Sequence, residues 1–150
     1  MNRDKLLKLL CKEKESLEKN IHWLTLSYEE CKNYNFNNLE DLDNNKLVNL
    51  EALFSRFSRT IDILINKLLR TLDIYELENI DNKLDIVIRA EKRGFIENYE
   101  ELIEMKDLKN FLSHEYVENL PQAFKLVLKY TPVLLNTTKK AIDYINQKYC

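Results

Sequence analysis

The stretch Met105-Lys-Asp-Leu-Lys-Asn-Phe-Leu-Ser-His-Glu-Tyr-Val117 mixes core-forming residues with polar side chains capable of chemistry. Leu108, Phe111 and Leu112 recur at three- and four-residue intervals, which is the spacing of one face of an α-helix. We therefore expect a helix here that is anchored in a core by these three side chains. The polar residues of the stretch are left for another face.

That polar face carries several groups that could act together. Asn110 and His114 are four residues apart, which places them one helical turn from each other. Lys106 lies one turn before Asn110, Lys109 adds a second positive charge, and Tyr116 follows the histidine. An imidazole, an amide, two ammonium groups and a phenol are thus expected within one or two turns.

Residues Leu108-Lys-Asn-Phe-Leu-Ser-His-Glu-Tyr116 resemble the signature of the HEPN superfamily. Within it, the HepT-like proteins carry Leu-Arg-Asn-x-x-x-His-x-Tyr. The likeness extends upstream to Arg89-Ala-Glu-Lys-Arg-Gly-Phe-Ile96 and Tyr99-Glu-Glu-Leu-Ile-Glu-Met105, and Phe54-Ser-Arg-Phe-Ser-Arg59 is similar to the family's second helix. The resemblance covers about residues 45 to 148. It implies an all-α, HEPN-like, up-and-down antiparallel bundle.

The resemblance also implies metal-independent RNA cleavage at a composite site between two copies of the chain. His114 would take the ribose 2′-hydroxyl proton or protonate the departing 5′-oxygen. Asn110 would orient the imidazole or donate to phosphate, and Tyr116 would position the scissile group. Lys109 stands where the family has arginine; it could stabilise charge on the phosphoryl oxygens. Lysine keeps that charge but lacks the planar fork of arginine.

Three functions stay open on this evidence. The first is an endoribonuclease toxin of a prokaryotic toxin–antitoxin module, a homodimer acting on RNA or tRNA. The second is a non-catalytic helical subunit that binds a minimal nucleotidyltransferase, which Lys109 favours. The third is a structural dimerisation bundle. In HepT-like proteins paired with such a nucleotidyltransferase antitoxin, the tyrosine matching Tyr116 receives AMP, which implies a modification site there.

Further cations are candidates for RNA contact. Because the resemblance places the second helix beside the motif helix, we expect Arg56, Arg59 and Lys106 to contact RNA. A net charge of −2 argues against a broadly cationic nucleic-acid binder, so any RNA contact must come from a local patch. A solvated basic face is the alternative interpretation of the second helix.

Composition bounds the remaining possibilities. A chain of 150 residues with 45% hydrophobic and 32% charged residues is expected to form one domain over residues 1–150. One glycine and two prolines favour long helices over a turn-rich sheet. No apolar run approaches a membrane span, and no phosphate-loop or metal-ligand motif is present, so we expect no membrane association, metal or cofactor.

The cysteines indicate a reduced, cytoplasmic protein. The three are scattered, at Cys11, Cys31 and Cys150. Cys11 and Cys31 fall on one predicted helix, about 30 Å apart, which is too far for a disulfide.

Five helices are expected from the apolar periodicity. An asparagine-rich connector over residues 33–45 separates the first helix from the second. The third helix is predicted to turn its apolar residues inward, namely Leu77, Ile80, Leu84, Val87 and Ile88. The only glycine, Gly94, should end the third helix in a left-handed cap. The predicted ranges are 3–32, 46–72, 76–93, a fourth capped by Asn98 and ending near Tyr116, and a fifth that starts at Pro121 and is kinked or split at Pro132.

Overall fold

The computed structural model describes residues 1–114 and 119–150, apart from the side chains of Leu39 and His114. Within these residues the protein is an all-α bundle of five helices without strands, which confirms the predicted class. The helix α2 is continuous but has three segments, of which the middle one is π-helical. The helices are α1 Arg3–Cys31, α2 Asn44–Ile61 with Asp62–Leu69 and Arg70–Tyr75, α3 Lys83–Lys92, α4 Tyr99–His114 and α5 Leu120–Lys148.

Helices α1 and α2 run antiparallel. Near the start of α1, Arg3 donates to the carbonyl of Tyr75 at the end of α2, over 2.9 Å. Near the end of α1, Ser27 accepts from Arg56, in the first half of α2, over 2.7 Å. The apolar faces of α1, α2, α4 and α5 meet in one core. Its fully buried side chains include Leu10, Leu17, Leu24, Leu50, Leu53, Phe57, Leu64, Leu68, Leu102, Met105, Val127, Leu134 and Ile145.

Local sequence signals fix most helix ends. Asn2 and Asp43 accept from backbone N–H groups three residues on, at 2.8 Å, and cap α1 and α2. The side chain of Asn98 accepts from the N–H of Glu100 over 2.9 Å, which confirms the predicted cap of α4. Gly94 has φ +85° and closes α3 as expected. The N–H of Phe95 then reaches the carbonyl of Ala90, over 2.9 Å.

The third helix is shorter than predicted. It begins at Lys83, where the side chain of Asn82 accepts from the N–H of Leu84, so the expected start at residue 76 is wrong. The preceding residues end α2 instead: Leu77 has φ +63° and the N–H of Glu78 donates to the carbonyl of Asp73. Leu77 is 84% exposed and Leu84 is 43% exposed. Both were expected to face inward, and neither does. Apolar periodicity was misleading here because a helix cap interrupts it.

Replacing Leu77 with glycine is expected to raise the free energy of unfolding by about 1 kcal/mol. The left-handed backbone strains a residue with a Cβ atom, and the exposed side chain loses almost no packing on removal. Urea denaturation measures the change. Leu26→Gly is the matched control, because Leu26 is an exposed leucine inside α1 and its replacement should lower stability by about 1 kcal/mol. Equal losses of stability in the two variants would contradict the strained left-handed backbone at Leu77.

Helix α5 passes through Pro132 without a break, so the predicted split does not occur. Pro132 itself is exposed, whereas apolar residues on either side of it, such as Val127 and Leu134, are fully buried. Packing of that face on the core outweighs the hydrogen bond that proline cannot make. Among the described helices, none has the length and apolar character required to cross a bilayer.

A buried ionic cluster joins the ends of α2 and α3. Asp73 is 0% exposed, and its two carboxylate oxygens accept from Arg93 over 2.6 Å and from Arg89 over 3.0 Å. Arg93 also pairs with Glu76 over 2.9 Å. Burial disfavours the charged form of Arg93, but its hydrogen bonds and the charges of the two acids outweigh this and raise its pKa.

The same cluster reaches the C-terminal end of α5. The second carboxylate oxygen of Glu76 accepts from the hydroxyl of Tyr144 over 2.8 Å and from that of Tyr149. Burial alone would raise the pKa of Glu76; the donated hydrogen bonds from both tyrosines and Arg93 reverse this, so the pKa lies below its ordinary value. The cluster therefore connects three helices through charged groups that are all partnered.

The cysteines differ from expectation. Cys11 of α1 and the terminal Cys150 form a disulfide, 139 residues apart in sequence, while Cys31 is free and buried. The inference that Cys11 and Cys31 cannot pair holds, but the expectation of reduced cysteines is wrong for Cys11 and Cys150. Burial, with a smaller effect of the Glu30 charge, raises the pKa of Cys31 to about 11. The cytoplasmic placement was based on reduced cysteines and stays a prediction.

Removing this disulfide by Cys11→Ser is expected to lower the free energy of unfolding by about 2–4 kcal/mol. The bond closes nearly the whole chain into a loop and so restricts the unfolded state strongly. Urea denaturation with and without a reductant measures the loss. Reductant should destabilise the wild-type chain as much as the substitution does and should leave Cys11→Ser unchanged. A urea midpoint of the wild-type chain that does not change with reductant would contradict the disulfide.

Candidate functional site

Helix α4 turns its apolar residues into the core, as the sequence predicts. Leu108 and Leu112 are 5% exposed and Phe111 is half-buried. On the outer face, Asn110 and Ser113 are exposed. Ser113 donates to the carbonyl of Lys109 one turn earlier, over 3.2 Å, and so stays close to the helix. Asn110 and Ser113 are thus held at the surface by a well-buried opposite face.

His114 and Tyr116 complete the polar part of the predicted motif. His114 is the last residue of α4, so its backbone continues the helical face that begins at Asn110. Its side chain and all of Tyr116 lie outside the described part of the chain. Their roles as proton-transfer group, positioning group and modification site therefore stay predictions.

Lys109 is held by an acid from the neighbouring helix. Its ammonium lies 2.6 Å from a carboxylate oxygen of Asp62, at the start of the π-helical segment of α2. The side chain of Lys109 is 17% exposed and that of Asp62 is 47% exposed. Asn66 donates to the same oxygen of Asp62 over 3.2 Å. The positive charge expected to face a phosphate is thus balanced by a carboxylate in this structure.

An open groove of about 400 Å³ lies between α2 and the C-terminal end of α4. Its charged residues are two acids, Glu51 and Asp62, and one cation, Arg59. Hydroxyl groups and two apolar side chains complete the lining, which includes Ser55, Ser58, Ser113, Phe54 and Leu112. The groove therefore offers many hydrogen-bonding groups but no excess of positive charge.

The cations predicted to contact RNA do not form one patch. Arg59 lines the groove and donates to Ser55 over 3.3 Å. Arg56 faces α1 instead: it donates to Ser27, and its guanidinium lies 5.5 Å from the ring centre of Trp23. Lys106 is partly buried on α4. Of the three, the structure brings only Arg59 to the groove beside the motif.

Sequence reasoning missed the acidic partner of the motif. Asp62 is 47 residues from Lys109, and only the packing of α2 against α4 brings them together. The sequence carries only a weak signal for this pairing. Asp62 lies in the third turn after Phe54, on the helix that the family resemblance placed beside the motif. The hydroxyl residues Ser55 and Ser58 were in the quoted similarity but were given no role.

One acidic residue elsewhere on α4, Glu104, is engaged in a structural contact. Glu104 accepts from the hydroxyl of Tyr130 on α5. Burial first, and then this acceptor and its charge, raise the pKa of Tyr130 to about 12. In the part of the chain that the structure describes, no three His, Cys, Asp or Glu residues are grouped so that they could hold a metal ion.

No family model, no curated protein and no solved structure matches the chain.

Proposed function

We propose that this chain is a HEPN-type, metal-independent endoribonuclease that acts as a homodimer, the toxin of a prokaryotic toxin–antitoxin module. One observation carries the proposal. Helix α4 buries Leu108 and Leu112, keeps Asn110 exposed, and lines an open groove with Ser113. The groove leaves room for a substrate beside this end of the motif helix.

The chemistry follows from the motif residues. His114 carries an imidazole, the side chain most often used for general acid–base catalysis. It accepts the 2′-hydroxyl proton or protonates the leaving 5′-oxygen, and Asn110 orients it or binds phosphate. Lys109 stabilises the developing charge once RNA competes with Asp62 for its ammonium. Tyr116 positions the scissile group and is where a nucleotidyltransferase antitoxin attaches AMP.

A second candidate is favoured by one specific contact. In this function the chain is a non-catalytic subunit that binds a minimal nucleotidyltransferase. The ion pair between Lys109 and Asp62 neutralises the cation that catalysis needs, and lysine lacks the bidentate grip of the family's arginine. The acidic balance of the neighbouring groove, with Glu51 and Asp62 against Arg59, also disfavours a phosphodiester there.

The discriminating experiment offers end-labelled RNA and tRNA to the purified chain in excess EDTA. Cleavage by the wild-type chain that disappears in His114→Ala supports the ribonuclease. If neither the wild-type chain nor Lys109→Arg cleaves, the ribonuclease proposal fails and the subunit remains. Loss of viability on expression without a partner, absent for His114→Ala, is a companion assay in the cytoplasm where such a toxin would act.

A further inference from the structure

A second groove lies on the other side of the π-helical segment, between α1 and α2. It has a volume of about 420 Å³, within the range of small-molecule sites. Cations line it from both helices: Lys12 from α1 and Lys67 and Arg70 from α2. Ser16 and Asn66 supply a hydroxyl and an amide at its wall. It shares no lining residue with the groove beside the motif helix.

The positive charge extends into an adjoining groove. Arg70 and Asn66 also line this neighbour, which reaches the start of α3 and includes Lys83. Across both grooves the cations are Lys12, Lys67, Arg70 and Lys83, and the acids are Glu13 and Asp81. The surface therefore carries an excess of two positive charges, four minus two, on a chain whose net charge is −2.

Unlike the arginines of the ionic cluster and the lysine of the motif helix, these cations are not held in direct ion pairs in the part of the chain that the structure describes. Lys109, Arg89 and Arg93 are each held by a carboxylate in a direct ion pair. Within the described residues, the side chains of Lys12, Lys67, Arg70 and Lys83 make no hydrogen bond or direct ion pair, although Lys67 and Arg70 act on Glu13 through their charge. Exposed cations that converge on one concave surface, without carboxylates to hold them, favour an anionic ligand.

The acid in the groove, Glu13, is hydrogen-bonded to the wall of α2. Glu13 is buried, and its carboxylate accepts from the hydroxyl of Thr71 over 2.6 Å. Burial raises its pKa, against the smaller opposing effects of that hydrogen bond and of Lys67 and Arg70. Glu13 is thus the one acid among the residues that line this groove, against the three cations Lys12, Lys67 and Arg70.

The backbone is also unusual at this place. The segment Asp62–Leu69 is π-helical over eight residues, and it supplies Ile63, Asn66 and Lys67 to the groove. Such turns are rare and occur frequently at functional sites, since they change the direction in which side chains project. The apolar side chains of Ile63 and Leu9 line the groove beside the cations.

We propose that this groove binds a phosphate-bearing ligand of mononucleotide size. Lys12, Lys67 and Arg70 contact the phosphate, for which a guanidinium and two ammonium groups are suited. Ser16 and Asn66 donate hydrogen bonds, and the apolar side packs against the rest of the ligand. The proposal does not depend on the ribonuclease, because none of the motif residues lines this groove.

Isothermal titration tests the proposal with four probes: adenosine 5′-monophosphate, uridine 5′-monophosphate, adenosine and inorganic phosphate. Both mononucleotides are expected to bind at least tenfold more tightly than adenosine or phosphate alone. Arg70→Ala and Lys67→Ala should each weaken mononucleotide binding by about tenfold. Lys125→Ala, which removes an exposed lysine of α5, is the matched control and should bind like the wild-type chain.

Further measurements distinguish a loss of mononucleotide binding from a loss of folding and from failure of the ribonuclease proposal. Because Lys67 and Arg70 are exposed, both variants should retain the helical circular dichroism and melting temperature of the wild-type chain. His114→Ala should bind mononucleotides normally. The proposal is overturned if neither mononucleotide binds, if phosphate binds as well as they do, or if well-folded Arg70→Ala and Lys67→Ala bind as tightly as the wild-type chain.

Discussion

Replacing Asp73 with alanine is expected to lower the free energy of unfolding by about 3–5 kcal/mol, one of the largest effects in the molecule. Asp73 is fully buried and partners two arginines whose side chains are 13% and 10% exposed. Its removal leaves Arg89 and Arg93 buried with fewer acceptors, and the loss of one member of a buried ionic group is strongly destabilising. Chemical denaturation at neutral pH measures the change.

A surface ion pair provides the matched control. Lys14 and Glu18 lie one turn apart on α1, with nitrogen and oxygen 3.0 Å apart, and the side chain of Glu18 is 44% exposed. Glu18→Ala should cost only about 0.5 kcal/mol, because solvent screens such a pair. Asp73→Asn should fall between the two, since an amide keeps one acceptor oxygen. A loss below about 1 kcal/mol for Asp73→Ala would show that the cluster contributes little to stability.

The second large effect concerns the motif helix. Under the proposed ribonuclease function, His114→Ala is expected to lower the rate of RNA cleavage by about 10²–10⁴-fold, the usual contribution of a positioned proton-transfer group. The substitution lies at the end of α4, after the residues that anchor that helix, Leu108 and Leu112, so the helix should persist. The rate is measured with excess enzyme over labelled RNA, so that product release does not limit it.

An amide variant on the same face serves as the control for this prediction. Asn110→Ala should lower the rate by less than His114→Ala, because asparagine orients or binds and transfers no proton. Circular dichroism should show equal helix content in both variants. Equal, small losses in the two variants would mean that the imidazole is not the proton-transfer group.

The features that could be predicted from the sequence are those set by neighbouring residues. The cap at Asn98, the left-handed glycine at Gly94 and the anchoring of α4 through Leu108 and Leu112 depend on spacing within a few residues. The start of α3 was mispredicted because the apolar residues Leu77 and Leu84 continue a helical period across a region where the backbone ends one helix and begins another.

The features that escaped prediction depend on distant parts of the chain. The ion pair between Lys109 and Asp62 spans 47 residues. The disulfide spans 139 residues and requires α1 to meet the residues that follow α5. No periodicity encodes such pairings, because they arise only when helices pack. For the same reason the basic groove, to which Lys12 and Arg70 contribute from different helices, was not visible in the sequence.

The ribonuclease proposal depends on two copies of the motif meeting around a phosphodiester. Its most direct test is the cleavage rate of labelled RNA in EDTA, measured across protein concentrations at which sedimentation reports the dimer fraction. The expected result is a specific activity that rises in proportion to dimer and is absent from His114→Ala. A chain that stays monomeric at micromolar concentration, or a dimer that leaves RNA intact, would contradict it.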